Sequence, residues 1–155
     1  MREQAVLTLL LLLLPHLSAQ TVPADWKVVK DSKSACQIAV PPEWVPWGDN
    51  TGAAVFQNTT TAIVVVTSQP GQTFKPLSES LQRLLGIRKE TLFENTAKRV
   101  FYQDKISSRA EDPNAYSASV PGNGGTCSCH IVFLPSISQE TAKKIVLSLG
   151  PVPPA

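Results

Sequence analysis

The segment Ala115-Tyr-Ser-Ala-Ser-Val-Pro-Gly-Asn-Gly-Gly-Thr-Cys-Ser-Cys-His-Ile-Val-Phe-Leu134 decides the fold class. Its arms, Ala115–Val120 and Cys127–Leu134, carry strand-type alternation. Between them, Pro121-Gly-Asn-Gly-Gly125 collects residues that tolerate turn conformations. Two strands joined by a tight turn predict an antiparallel hairpin. In the second arm Cys127, Cys129, Ile131 and Phe133 share one face, and Ser128, His130 and Val132 share the other.

Working outward, further strand patterns appear. Trp26–Lys30 is one. In Cys36–Val40, residues Cys36, Ile38 and Val40 lie on one face, and Pro41-Pro42 end the run. Ala53–Gln57 and Ala62–Thr67 flank Asn58-Thr-Thr60 and predict a hairpin. Ile63-Val-Val-Val66 is β-branched and apolar on both faces, so it is expected in the centre of a sheet covered on both sides. Arg99–Ile106 adds another strand. Two helices are legible. Pro76–Leu85 has a stripe of Leu77, Leu81, Leu84 and Leu85, with Gly86 at its end. The other runs from about Gln139 to Leu149, capped by Ser136 or Ser138 and stopped by Gly150-Pro151. Its inner face is Ala142, Ile145, Val146 and Leu149, with Lys143 and Lys144 turned outward. A shorter helical stretch is expected around Glu90–Thr96.

Consecutive antiparallel strands with separated helices indicate an α+β domain: one antiparallel twisted sheet with helices packed on its faces. It is expected over residues 26–150, after a lead-in at 20–25. A Pro-rich tail follows at 151–155, which its prolines should keep out of helix and sheet.

A strand running into Val40-Pro41-Pro42-Glu43-Trp44, with a helix after the first hairpin and the closing helix Ala142–Leu149, resembles the PsbP-like family. The pattern covers most of Trp26–Gly150. The chain also resembles small secreted bacterial proteins carrying this fold. Membership implies an α/β/α sandwich without a shared catalytic centre, used by accessory and binding proteins. The family offers no common active-site motif, so the resemblance assigns no functional residue.

The N-terminus supplies an address. Arg2 precedes the apolar run Ala5–Leu14, Pro15 breaks it, and Ser18 and Ala19 follow. This order is that of a signal peptide over residues 1–19, with cleavage expected after Ala19. The run is too short for a spanning helix, which needs about 20 apolar residues. A secreted or periplasmic product is therefore expected, without an integral membrane segment once the signal is removed. In an oxidising compartment cysteines tend to pair. Cys36, Cys127 and Cys129 allow one disulfide, from Cys36 to Cys127 or to Cys129, and leave one thiol.

Composition narrows the function classes. Hydrophobic residues make up 43% of the chain and charged residues 17%, with 14 Lys and Arg against 12 Asp and Glu. That balance argues against disorder and against nucleic-acid binding, which wants a strongly basic face.

Thr126-Cys127-Ser128-Cys129-His130 is the densest chemical segment. Its structural reading is the disulfide to Cys36. The alternative is a small redox or copper- or zinc-handling protein using Cys127, Cys129 and His130, since thiolate and imidazole are suitable donors. Against the metal reading, a regular strand points His130 away from both sulfurs. Haem attachment needs two residues between the cysteines, and here there is one.

His130 is the one histidine beyond the signal, and no Gly-x-Ser-x-Gly elbow is present to expose a serine nucleophile. The carboxylate pairs Glu111-Asp112 and Glu90 with Glu94 read as solvated surface, as do Arg88-Lys89, Lys98-Arg99 and Lys143-Lys144. Asn58-Thr-Thr60 matches a glycosylation acceptor, relevant only in a eukaryotic secretory route. In Trp44-Val-Pro-Trp47, Trp44 is expected as a buried cover and Trp47 as a possible partner contact. No catalytic constellation and no resident cofactor are expected. The residues together predict a non-enzymatic binding or accessory module for a protein or small ligand.

Overall fold

The alternating segment becomes the middle of a sheet in the computed structural model, which describes residues 21–48, 54–58, 61–104 and 112–154. In chain order the strands are β1 (Lys27–Lys30), β2 (Cys36–Val40), β3 (Val45–Pro46), β4 (Ala54–Asn58) and β5 (Ala62–Pro70). After helix α1 (Glu79–Leu84) come β6 (Leu92–Asn95), β7 (Val100–Asp104), β8 (Asn114–Gly122) and β9 (Gly125–Phe133). Helix α2 (Gln139–Leu147) and β10 (Gly150–Pro151) close the chain. Among the described residues these strands form two antiparallel sheets. The larger has the order β3-β4-β5-β9-β8-β7-β6, and the smaller β1-β2-β10.

Asn123-Gly124 joins β8 to β9, with Gly124 at φ 79° where a side chain would be strained. The β5–β9 ladder then runs from Ala62 opposite Phe133 to Pro70 opposite Gly125. A Cβ at Gly125 would lie 2.4 Å from the Gln69 carbonyl oxygen, so glycine alone permits that close approach.

Period two sorts the large sheet into an inward and an outward face. Val64 and Val66 of β5, Cys127, Cys129, Ile131 and Phe133 of β9, and Tyr116, Ala118 and Val120 of β8 point inward and are buried. They meet Cys36, Ile38 and Val40 of β2, Trp44, and Ala142, Ile145 and Val146 of α2. Each buried Val, Ile or Phe among them contributes about 1.5–3 kcal/mol by leaving water. Ser138 caps α2, its hydroxyl accepting from the Thr141 N–H at 3.0 Å. The inward face carries an aromatic run: Tyr116 lies 5.4 Å from Phe133 and 5.8 Å from Phe101, and Phe93 lies 4.9 Å from Phe101.

Several expectations need correction. Val64 and Val66 are buried, but Ile63 and Val65 are only half-buried on the outward face, so β5 is not covered fully on both sides. The first helix starts at Glu79, not Pro76. The Leu77 carbonyl is held by the side-chain amides of Asn95 and Gln82, at 3.0 and 2.9 Å, and Ser78 caps the Leu81 N–H instead. None of the α1 residues is buried, and Leu84 is 81% exposed, so the leucine stripe does not serve as a core face. The stretch expected as helical near 90–96 contains β6, because β7 offers a ladder and Phe101 offers Phe93 a ring to pack on. Lys143 does not stand clear in solvent; its ammonium lies 5.0 Å from the Phe93 ring centroid and 5.6 Å from that of Tyr116. Pro151 pairs with Cys36 in β10, so the tail begins inside a sheet; an edge position tolerates the missing N–H.

Candidate functional site

Cys36 and Cys127 are joined in a disulfide, with Cα atoms 5.5 Å apart. It ties β2 of the small sheet to β9 of the large one. The sequence left Cys127 and Cys129 open as partners, and position along the strand decides between them. Cys36 begins β2 near the turn end of β8 and β9, and Cys129 lies about 6.6 Å further along β9 than Cys127. Cys129 remains a thiol, buried opposite Val66 and Ala118. Burial in that apolar setting pushes its pKa well above the ordinary thiol value, so it is held as SH.

The copper or zinc alternative required Cys127, Cys129 and His130 together, and the structure does not bring them together. Cys127 is oxidised, Cys129 is buried inward, and His130 faces outward on the opposite side of β9. Among the described residues no cluster of three or more His, Cys, Asp or Glu side chains forms a metal cradle.

His130 instead meets residues that the sequence did not connect to it. Across the ladder, Ser117 of β8 sits opposite His130, and Tyr102 of β7 sits opposite Ser117. Asp104, two residues beyond Tyr102, shares their outward face. The Ser117 hydroxyl donates to Asp104 Oδ2 at 2.6 Å and lies 2.8 Å from His130 Nδ1. His130 Nδ1 is itself 3.2 Å from Asp104 Oδ2. Since serine has one proton and gives it to the carboxylate, the ring contact requires the Nδ1–H of His130 as donor. In the neutral imidazole that assignment leaves the lone pair on Nε2. Nearby, burial raises the Tyr102 pKa and the Asp104 charge raises it further, while the Ser117 hydroxyl works the other way.

The triangle differs from a serine-hydrolase relay. A relay needs the carboxylate on one imidazole nitrogen and the serine on the other. Here both contact Nδ1. What the arrangement offers is a fixed imidazole tautomer and a carboxylate on a sheet face. His130 and Asp104 are 45% and 28% exposed at their side chains. Around them stand half-buried Ile63, Val65 and Val132 and the Ser119–Ser128 hydroxyl pair at 3.0 Å.

Trp44 is buried, at 1% exposure, and Trp47 is 52% exposed. Val45 lies in one cross-strand row with Gln57, Ile63 and Val132, on the outward side, and Trp47 follows just beyond the end of β3. Basic residues read as solvated surface are partly engaged. Arg88 pairs with Glu90 at 3.2 Å, Arg99 with Glu94 at 3.6 Å and Lys144 with Glu140 at 2.7 Å. Glu111 and Thr59-Thr60 of the glycosylation acceptor lie outside the described residues.

Comparison with protein families and with curated proteins gives no match. Solved structures do match in fold. The solution structure of the cyanobacterial PsbP protein CyanoP from Synechocystis superposes with a TM-score of 0.52 at 10% identity, over 84% of this chain and 94% of that one. A crystal structure from Bacteroides thetaiotaomicron gives a TM-score of 0.54 at 14% identity, over 81% of this chain and 48% of that one. The present chain thus spans about half the length of the Bacteroides protein. The fold is PsbP-like, an α+β architecture. At these identities the likeness concerns fold, and function has to be argued from the site.

Proposed function

We propose that the chain is an exported, non-enzymatic binding or accessory module whose ligand or partner meets the outward face of the large sheet around His130. The observation that carries this reading is the Asp104–Ser117–His130 triangle. It fixes an imidazole and a carboxylate on an accessible sheet face, with serine and carboxylate on the same ring nitrogen, where they cannot relay a proton through the ring. Export is supported by the leader pattern of residues 1–19 and by the Cys36–Cys127 disulfide. Among the described residues no helix is long and apolar enough to cross a membrane.

Two measurements test the reading. Expression with the native leader, followed by fractionation and intact-mass analysis, should give an oxidised chain beginning at Gln20; a reduced product retaining Met1 would count against export. A photo-crosslinking residue placed at Val65, on the outward face, should yield adducts in the native compartment. The same residue at Val28, exposed on the small sheet, should not. Adducts from position 28 alone would refute the assignment of the face.

A further inference from the structure

We propose that the outward face binds a neutral, hydroxyl-rich ligand, a saccharide, at the Asp104–Ser117–His130 triangle; this rests on the reading of that face given above. The charge census narrows the chemistry. On β5, β9, β8 and β7 the outward side chains are Ile63, Val65, Thr67 and Gln69, then Thr126, Ser128, His130 and Val132, then Ala115, Ser117, Ser119 and Pro121, then Val100, Tyr102 and Asp104. Among the described residues of these strands the set contains no lysine or arginine and one carboxylate, so an anionic ligand would meet repulsion there and find no countercharge on the strands. A cationic ligand would meet a single, partly exposed carboxylate that already accepts two hydrogen bonds, and exposed pairs of that kind contribute about 0–1 kcal/mol.

Neutral hydroxyl groups fit better. The site presents acceptors at the Asp104 carboxylate and, in the neutral ring, at His130 Nε2, beside the Ser119–Ser128 hydroxyl pair, whose one shared bond leaves a hydroxyl proton to donate. A sugar hydroxyl has the same dual character. A neutral hydroxyl bonds that carboxylate without the cost of desolvating a second charge. Val65, Ile63 and Val132, half-buried beside the triangle, form a shelf for the C–H face of a sugar ring. Apolar surface with a few placed polar groups is the usual make-up of a ligand site.

The test is an NMR titration of the oxidised chain with hexasaccharides that differ in charge. Cellohexaose, maltohexaose and N-acetylchitohexaose are the neutral probes, hexagalacturonate the anionic one and a chitosan hexamer the cationic one. At least one neutral probe should shift amides within 63–67, 115–119 and 128–132. His130→Phe and Asp104→Asn should each weaken that binding about tenfold, equivalent to about 1.4 kcal/mol. Unchanged thermal unfolding of both variants would show that they fold. Binding of the chitosan hexamer or the hexagalacturonate alone, neutral binding that maps elsewhere, or no binding by any neutral probe would each overturn the proposal. Adducts from position 65 without glycan binding would leave the face standing and remove the ligand class. Loss of both would remove the face as well.

Discussion

Asp31 shows how much one residue can hold. Its side chain is 3% exposed and gathers the β1–β2 turn. The carboxylate accepts from the Ala35 N–H at 2.7 Å, the Cys36 N–H at 2.9 Å and the Ser68 hydroxyl of β5 at 2.6 Å. Burial by itself would raise its pKa, but the donors together outweigh burial, so the folded value lies below the usual carboxylate range. The stabilisation is therefore fully present above the unfolded pKa of about 3.9 and fades as pH falls through the folded one. Asp31→Asn should cost about 1–3 kcal/mol near neutrality. Urea unfolding followed downward from pH 7 should show the wild type losing its advantage below about pH 4; a gap that widens in acid would contradict this sign. At the same scale, the partners of His130 were illegible in the sequence. Residues 102, 104, 117 and 130 come together only through two ladder registers, and each register is a tertiary fact.

At the scale of elements, the two helices separate propensity from packing. Both carry a serine cap and an amphipathic pattern, yet α2 buries Ala142, Ile145 and Val146 while α1 buries nothing. Ile145→Ala should cost about 2–5 kcal/mol, the range for emptying a filled core site. Leu84→Ala should stay within about 0.5 kcal/mol, as exposed substitutions do. Chemical denaturation of the two variants decides the point, and equal losses would mean that α1 packs. The sequence pattern could not distinguish these helices, because a leucine stripe records what a helix could bury and not whether a surface waits for it. The strand patterns fared better. Cys36–Val40 is a strand with the predicted ends, and Cys127–Leu134 differs from β9 by two residues at its start and one at its end. β6 does not show as a strand in the sequence, because four residues with one bulge carry too little alternation.

For the whole molecule, the decisive link is the one between the two sheets. The Cys36–Cys127 bond spans 91 residues of sequence, and the chain-entropy argument assigns such a loop about 4–5 kcal/mol, less any native strain. Reduction should therefore lower the unfolding midpoint substantially. Cys129 gives a cleaner readout. The native oxidised chain should show no thiol reactive to an aromatic disulfide, and the denatured oxidised chain should show one. A reactive thiol in the native state would mean that the core around Val66 and Ala118 opens.

The amino-acid order determined the alternation of strands, the two principal helices, the inward placement of Cys36 and Cys127, and the opposite facing of His130. Each of these depends on neighbours within a few residues, through the periods of two and 3.6. Tertiary structure alone chose Cys127 over Cys129, left α1 without a buried face, and set Asp104 and Ser117 on one nitrogen of His130. Those outcomes depend on how far one strand slides along another and on which surfaces a helix meets, and local chemistry encodes neither.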